Sequence, residues 1–460
     1  MTASGTFDSS YETQGTQAKK RLTFAQRRRQ RRLIPIAAMP QAAFEQPVYV
    51  QRTPFGSAYI VNDSAGVKRV MVDNVANYPK TVMERQAFSA LFGDGLLSTD
   101  GETWRTHRRI MAPSFDPRSV ASYASVMAKT TEEFRQVWDQ QPDGVRIDIS
   151  EQMTALTLRI ISKTMFSDDE TLMTGITGGA LHESQDAFDF NILDILPIIG
   201  PMRMKKRMQA MSQTFAPMDG AIGRLIEARK AYPSAEPDLL GRLVAAMDED
   251  TGARMTAKEV RDQVLTIFIA GHETTASAMT FVWWMLSQHP AVEAKLHAEL
   301  QEVLGGRTPG EADVPKLVYA KRIIDETLRL YPSAPGLSAR VALEADEICG
   351  VKIPKGATVA IAPWLLHHRR ANWENPERFD PDRFSPARSA GRPRFAYMPF
   401  GAGPRICIGA VLATTEATLI LATLAQRYHL RLPAGHEVEL RHRVTLRPEG
   451  GLPMILERRA

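Results

Sequence analysis

The segment that most constrains this chain is Phe400-Gly401-Ala402-Gly403-Pro404-Arg405-Ile406-Cys407-Ile408-Gly409. Its glycines at 401, 403 and 409 permit positive φ and close approach of the backbone to a flat ligand. The apolar text from about Cys407 to Tyr428 reads as a helix, which puts the cysteine at the helix start. Unpaired amides and the positive helix end there favour a thiolate, the form that binds metal. A lone thiolate is too few for zinc, which takes four protein ligands or three plus water. It suffices as the axial ligand of a haem iron, because the porphyrin supplies the other four donors. Arg405 can then neutralise a propionate, and Phe400 can cover the sulfur. The alternative is a buried structural cysteine. Cys349 is the other cysteine of the chain, so a disulfide framework is excluded and a reducing compartment fits.

Three further patterns precede this loop. Thr256 with Glu259 three positions on forms a capping box that opens a helix running to Gln288, with Pro290 beyond. Ala270-Gly271-His272-Glu273-Thr274-Thr275 interrupts its apolar run. Four polar residues in lipid would be costly, so the stretch from Val264 to Leu286 reads as a buried helix with a functional polar step. Glu326 and Arg329 share one face of a helix spanning about Val318 to Leu330. Trp104 and Arg108, four residues apart, also share a face.

The cysteine decapeptide closely resembles the haem-binding loop of the cytochrome P450 family, which has Phe, Gly, Arg, Cys and Gly at these offsets. The likeness runs in the family's order from about residue 45 to 460. It implies a mainly α fold with a small β region, the haem lying between the long central helix and the cysteine-loop helix. Cys407 is then the iron ligand of a non-covalent haem b, and no Cys-x-x-Cys-His is present. Ala270-Gly271 leaves room for dioxygen, and Glu273 with Thr274 relays the two protons needed before the O–O bond breaks. Trp104, Arg108, Arg405 and Arg340 become propionate partners, with Phe400 and Gly401 completing the loop. Glu326 and Arg329 pair with a later arginine, for which Arg378 in Pro376-Glu377-Arg378-Phe379 matches, and this trio has a structural role. His272 is expected to pack or be solvated, and His367 and His368 are unassigned.

The implied activity is insertion of one oxygen atom of O2 into a C–H or C=C bond of an apolar small molecule. Candidate pocket walls are Arg85–Leu97, Phe188–Ile199, Ile269-Ala270, Ala334–Leu337 and Gly451-Leu452, whose apolar text argues against sugars or charged metabolites. A fatty acid, terpenoid or aromatic fits, with a fatty acyl chain mildly favoured. No flavin or ferredoxin domain is seen, so a ferredoxin or flavin-type donor should supply electrons, with Arg388, Arg392 and Arg394 as its basic docking face. A haem-thiolate sensor without turnover and a basic-arm interaction protein are the competing classes; Glu273-Thr274 speaks against the first.

Charge supports an enzyme over a nucleic-acid binder. Eight of the cations that make the net charge +5 sit at Lys19, Lys20, Arg21, Arg27, Arg28, Arg29, Arg31 and Arg32, so the remainder is slightly acidic. Residues 1–45 read as a basic, unstructured arm able to touch anionic lipid peripherally, and 46–460 as one domain. No anchor-length apolar stretch is seen, so an intracellular, cytoplasmic protein is expected. Strands are expected at Val48–Gln51 and Ala58–Val61, as a pair within Ile353–Ala362, and within Val438–Leu456. Asn372–Pro399 reads as a long functional loop.

Overall fold

The computed structural model describes residues 34, 36–53, 56–167, 202, 203, 206, 219–234, 237–442 and 444–459. The expected pocket wall at Phe188–Ile199 and most of the basic arm lie outside them. The packed body begins before residue 46, contrary to the expected boundary. A short helix α1, Gln41–Glu45, brings Phe44 inward, and Ile34, Ala37 and Ala43 are buried with it. The Asn62 amide donates to the carbonyls of Ala43 (2.9 Å) and Phe44 (3.0 Å), satisfying backbone that apolar burial would otherwise strand.

Among the longer described helices that follow are α2 (Val82–Phe92), α3 (Gly101–Met111), α4 (Pro117–Asp139) and α5 (Ile149–Phe166). The centre is α6, Ala257–Gln288, opened by the Thr256/Glu259 capping box as expected. It is buried around almost its whole circumference from Asp262 to Leu286. Such a helix belongs in the core of a large fold or in a membrane; α5 packs across it here, and no helix among the described residues is long and apolar enough to span a membrane. Next come α7 (Pro290–Leu304), which stops at Gly305 in the left-handed region, and α8 (Val318–Leu330). The last long helix, α9, covers Ala410–Ala425. Both α8 and α9 pack on α6.

The strands form small sheets at the side. β1 (Val48–Thr53) and β2 (Gly56–Val61) pair antiparallel. β3 (Val145–Asp148) precedes α5. β4 (Arg340–Val341), β5 (Asp346–Ile348), β6 (Val351–Ile353) and β7 (Thr358–Ile361) follow α8. The pair expected within Ile353–Ala362 is real as strands but is not a hairpin. β6 pairs with β5, while β7 joins β1, β2 and β4 in order β1-β2-β7-β4. After α9, β8 (Tyr428–Arg431) and β3 flank β11 (Pro453–Arg458), and β9 (Leu440–His442) pairs with β10 (Leu446–Pro448).

Candidate active site

The cysteine loop is fixed by its own backbone. The Cys407 N–H donates to the Phe400 carbonyl (2.8 Å) and the Gly401 N–H to Met398 (3.1 Å). Gly401 and Gly403 have φ of 76° and 66°, and a Cβ on Gly403 would overlap the Met71 carbonyl. Gly409 does not need its glycine in this way: its φ is −87°, and it caps α9. Cys407 therefore lies three residues ahead of the helix, not at its first turn. The balance on the thiol differs from the sequence expectation accordingly. Burial pushes it up, while the Gly409 N–H and the Arg108 guanidinium pull it down. Cys407 nevertheless keeps accessible surface, which fits a sulfur facing an internal concavity rather than bulk water.

Scaffolding comes from α8. Glu326 and Arg329 are fully buried and bidentate, at 2.7 and 2.8 Å. Arg329 also donates to the carbonyls of His367 (2.9 Å), Pro376 (2.7 Å) and Arg378 (3.2 Å). Arg378 thus contributes only its backbone here. The cation beside Glu326 is Arg383, its Nε 3.3 Å from Oε1, which corrects the sequence assignment. The signal was present: Arg-Phe recurs at Arg383-Phe384, five residues after Arg378-Phe379. His367 is a scaffold residue that the sequence left unassigned. Its Nε2 accepts from the Met398 N–H (3.0 Å), so its Nδ1–H donates to the Arg329 carbonyl (3.1 Å). Burial holds the ring neutral, far below the usual histidine range.

A cluster of cations gathers around Arg405 of the loop. Arg405 pairs with Asp100 and stacks over the Trp104 ring at 4.3 Å, leaving its buried Nη1 without a protein partner. Arg340 is buried and donates to the Ser338 hydroxyl (2.7 Å). Lys80, which sequence reasoning missed, bridges to Arg340 through the backbone. Its ammonium donates to the carbonyls of Leu96 (2.8 Å), Leu97 (2.7 Å) and Thr99 (3.3 Å). Burial, then Arg405 and Arg340, lower Lys80 to about 7. Burial, then Arg405, likewise lower Arg340. These cations face Asp100 and Glu84, too few carboxylates to balance them. Arg108 adds a further positive charge near Cys407. An orphaned, buried guanidinium nitrogen two residues from an accessible sulfur fits an anionic macrocycle ligated by that sulfur.

On α6 the otherwise buried surface opens at Ile269, Ala270, Gly271, Glu273 and Thr274. The Thr274 hydroxyl donates to the Ala270 carbonyl (2.8 Å), and the Ser333 hydroxyl donates to the Thr274 carbonyl (2.8 Å). A Cβ on Gly271 would approach Ile161 Cδ1 of α5 at 3.3 Å, so this glycine lets α5 pack closely on α6. His272 packs as expected, buried, with Nδ1 on the Phe268 carbonyl (2.9 Å). The wall at Arg85–Leu97 is pinned to α6 by the Asp94 N–H on Asp262 (2.9 Å) and the Leu96 N–H on Gln263 (3.0 Å).

A family model described as Cytochrome P450 matches residues 43–452. The chain is a cytochrome P450. It is 36% identical over 403 residues to cyclooctatin synthase of Streptomyces melanosporofaciens, covering 85% of this chain and 84% of that one. It is 35% identical over 382 residues to cyclooctat-9-en-7-ol 5-monooxygenase of the same organism, covering 80% and 79%. The crystal structure of the cytochrome P450DA heme domain superposes with a TM-score of 0.79 at 28% identity, covering 90% of each chain. This P450 is accordingly a haem-thiolate monooxygenase acting on an apolar substrate with O2 and a redox partner.

Two surface clusters are less open than their sequence suggests. Arg392 lies over Trp373 at 4.3 Å and Phe384 at 5.1 Å, Arg388 pairs with Asp380 at 2.8 Å, and Arg394 lies over Phe395. Arg392 is thus part of the fold rather than a free docking charge. Glu293, His297 and His429 offer ligand atoms within 4.8 Å of one another. Arg431 meets both Glu293 oxygens, at 3.0 and 2.7 Å, and donates to His429 Nδ1 at 3.0 Å. A guanidinium therefore fills the lone pairs that a cation would need.

Proposed function

We propose that this P450 hydroxylates a C–H bond of a cyclic terpenoid, with Cys407 as the thiolate ligand of a non-covalent haem b and electrons from a separate ferredoxin. Bound haem supplies the iron at which dioxygen is activated. The chain's own residues do the rest. Arg405 Nη1, Arg340, Trp104 and Arg108 would hold the propionates, and Lys80 holds the Leu96–Thr99 backbone. Glu273 takes protons from solvent, and the Thr274 hydroxyl passes them toward the oxygen.

The observation that carries the reading is the combination of an accessible Cys407 with the unpartnered, buried Arg405 Nη1. Kinship with an enzyme named for a cyclic alkenol favours a terpenoid over the fatty acyl chain that the motifs alone suggested. The test is optical. Reduced, carbon-monoxide-bound protein should show the red-shifted Soret band of a thiolate ligand, and Cys407→Ser should abolish it; an unchanged band in the variant would refute the assignment. Titration of the oxidised protein with cyclic terpenoid alcohols should convert low spin to high spin. Conversion by long-chain fatty acids alone would reverse the substrate class.

A further inference from the structure

The acid of the polar step does not stand free. One Glu273 oxygen accepts from both the Arg447 guanidinium and the Thr445 hydroxyl, and Arg447 Nε also donates to that hydroxyl at 3.3 Å. Thr445 is buried, and Glu273 and Arg447 are mostly so. The hairpin bearing these partners is strapped to the same stretch of α6. Ser277 donates to the Leu446 carbonyl at 2.6 Å. The Leu446 N–H donates to the Ser333 carbonyl at 3.0 Å, and the Ser333 hydroxyl closes the circuit on the Thr274 carbonyl at 2.8 Å. Glu273 and Thr274 are thus both held by one hydrogen-bonded unit built from the C-terminal hairpin and the Ser333 loop. Thr274, meanwhile, spends its hydroxyl proton on Ala270.

We propose that Arg447, with Thr445, is a positioning residue that latches the Glu273 carboxylate against the hairpin, so that proton delivery to the oxygen requires this ion pair to open. The inference rests on the relay role given to Glu273 above. A carboxylate oxygen that accepts from both a guanidinium and a hydroxyl is occupied and held in one rotamer. It can pick up and hand on a proton only when that contact loosens. The consequence concerns where two electrons and two protons go. Delivered in order, they reduce one oxygen atom of O2 to water while the other enters the substrate. Delivered without order, they leave with both oxygen atoms as hydrogen peroxide.

The experiment compares holoenzyme with Glu273→Gln, Arg447→Gln, Arg447→Lys and the double variant Glu273→Gln/Arg447→Gln. Two quantities are measured: the ratio of hydroxylated product to peroxide, and the thermal unfolding midpoint. Arg447→Gln should lower the ratio about tenfold, less than the roughly hundredfold minimum for losing a general acid outright. Arg447→Lys should restore most of it. In the Glu273→Gln background, Arg447→Gln should not lower the ratio further, because the carboxylate it positions is gone, and the midpoint loss of the double variant should fall short of the sum of the two single losses. If Arg447→Gln lowers the ratio equally in both backgrounds, or leaves it at the parent value, the latch is refuted. If Glu273→Gln itself leaves the ratio unchanged, it is the relay role of Glu273 that falls.

Discussion

Among single residues, Glu416 on α9 is the most informative outside the site. It is fully enclosed, one carboxyl oxygen has no hydrogen-bond partner, and its neighbour is the Thr275 hydroxyl, next to the polar step of α6. Burial raises it to about 8, with Thr275 pulling the other way. An unfolded chain releases this proton near about pH 4.3. Between those values the unfolded state binds fewer protons than the folded one, so stability falls as pH rises through the window. Glu416→Gln keeps an acceptor for Thr275 and removes the titration. Urea unfolding at about pH 5 and about pH 8 should therefore show the parent losing more stability than the variant. Equal losses would mean that Glu416 ionises normally in the folded protein. The same residue shows why sequence reading stops short here: Glu416 lies in apolar helical text, and only packing reveals that no cation meets it.

The element that matters most is the Asn372–Pro399 stretch, and its energetics separate two arginines that look alike in sequence. Arg378 gives the buried Arg329 only a backbone carbonyl, whereas the Arg383 guanidinium reaches Glu326 and donates to the Asn375 carbonyl (2.7 Å). Arg378→Ala should stay within about 0.5 kcal/mol of the parent. Arg383→Ala should cost about 1–3 kcal/mol, the penalty for leaving the Glu374 and Asn375 carbonyls without their donor while Glu326 keeps Arg329, and should loosen haem retention. Denaturant unfolding and the rate of haem transfer to apomyoglobin measure both; a larger cost at Arg378 would reverse the assignment. The contrast marks the limit of motif reading. Periodic and capped segments were legible: the capping box placed α6, Gly305 ended α7, and the glycines at 401 and 403 announced a constrained loop. Pairing across the fold was not. That β6 and β7 flank one turn yet join different sheets depends on β2 and β5, and that Gly271 faces Ile161 depends on how α5 crosses α6. Lys80 and Asp100 were equally invisible, because a lysine after a proline and an acid before a helix have commoner uses.

At the scale of the whole molecule, the open question is where the body begins. Composition drew the boundary after the basic run and the prolines, at residue 45, because few apolar residues precede it. Structure makes the segment from Ile34 to Glu45 a lid on the sheet side. Phe44 and Ile34 belong to the main core, Asn62 takes up two carbonyls of α1, and Arg369 reaches the Glu45 carbonyl at 3.4 Å while pairing with Asp63 at 2.6 Å. Removing this segment strips an aromatic ring from the core and leaves Asn62 and Arg369 short of acceptors. Loss of a buried phenylalanine alone costs about 3–5 kcal/mol, and an unsatisfied buried amide about 1–3 kcal/mol more. A chain starting at Ile34 should therefore be more stable than one starting at Gln46 by several kcal/mol, read from urea midpoints of the two. Phe44→Ala in the longer chain should account for the larger part of that difference. If the two chains unfold together, the boundary drawn from composition was the right one, and the contacts of α1 contribute nothing to holding the body closed.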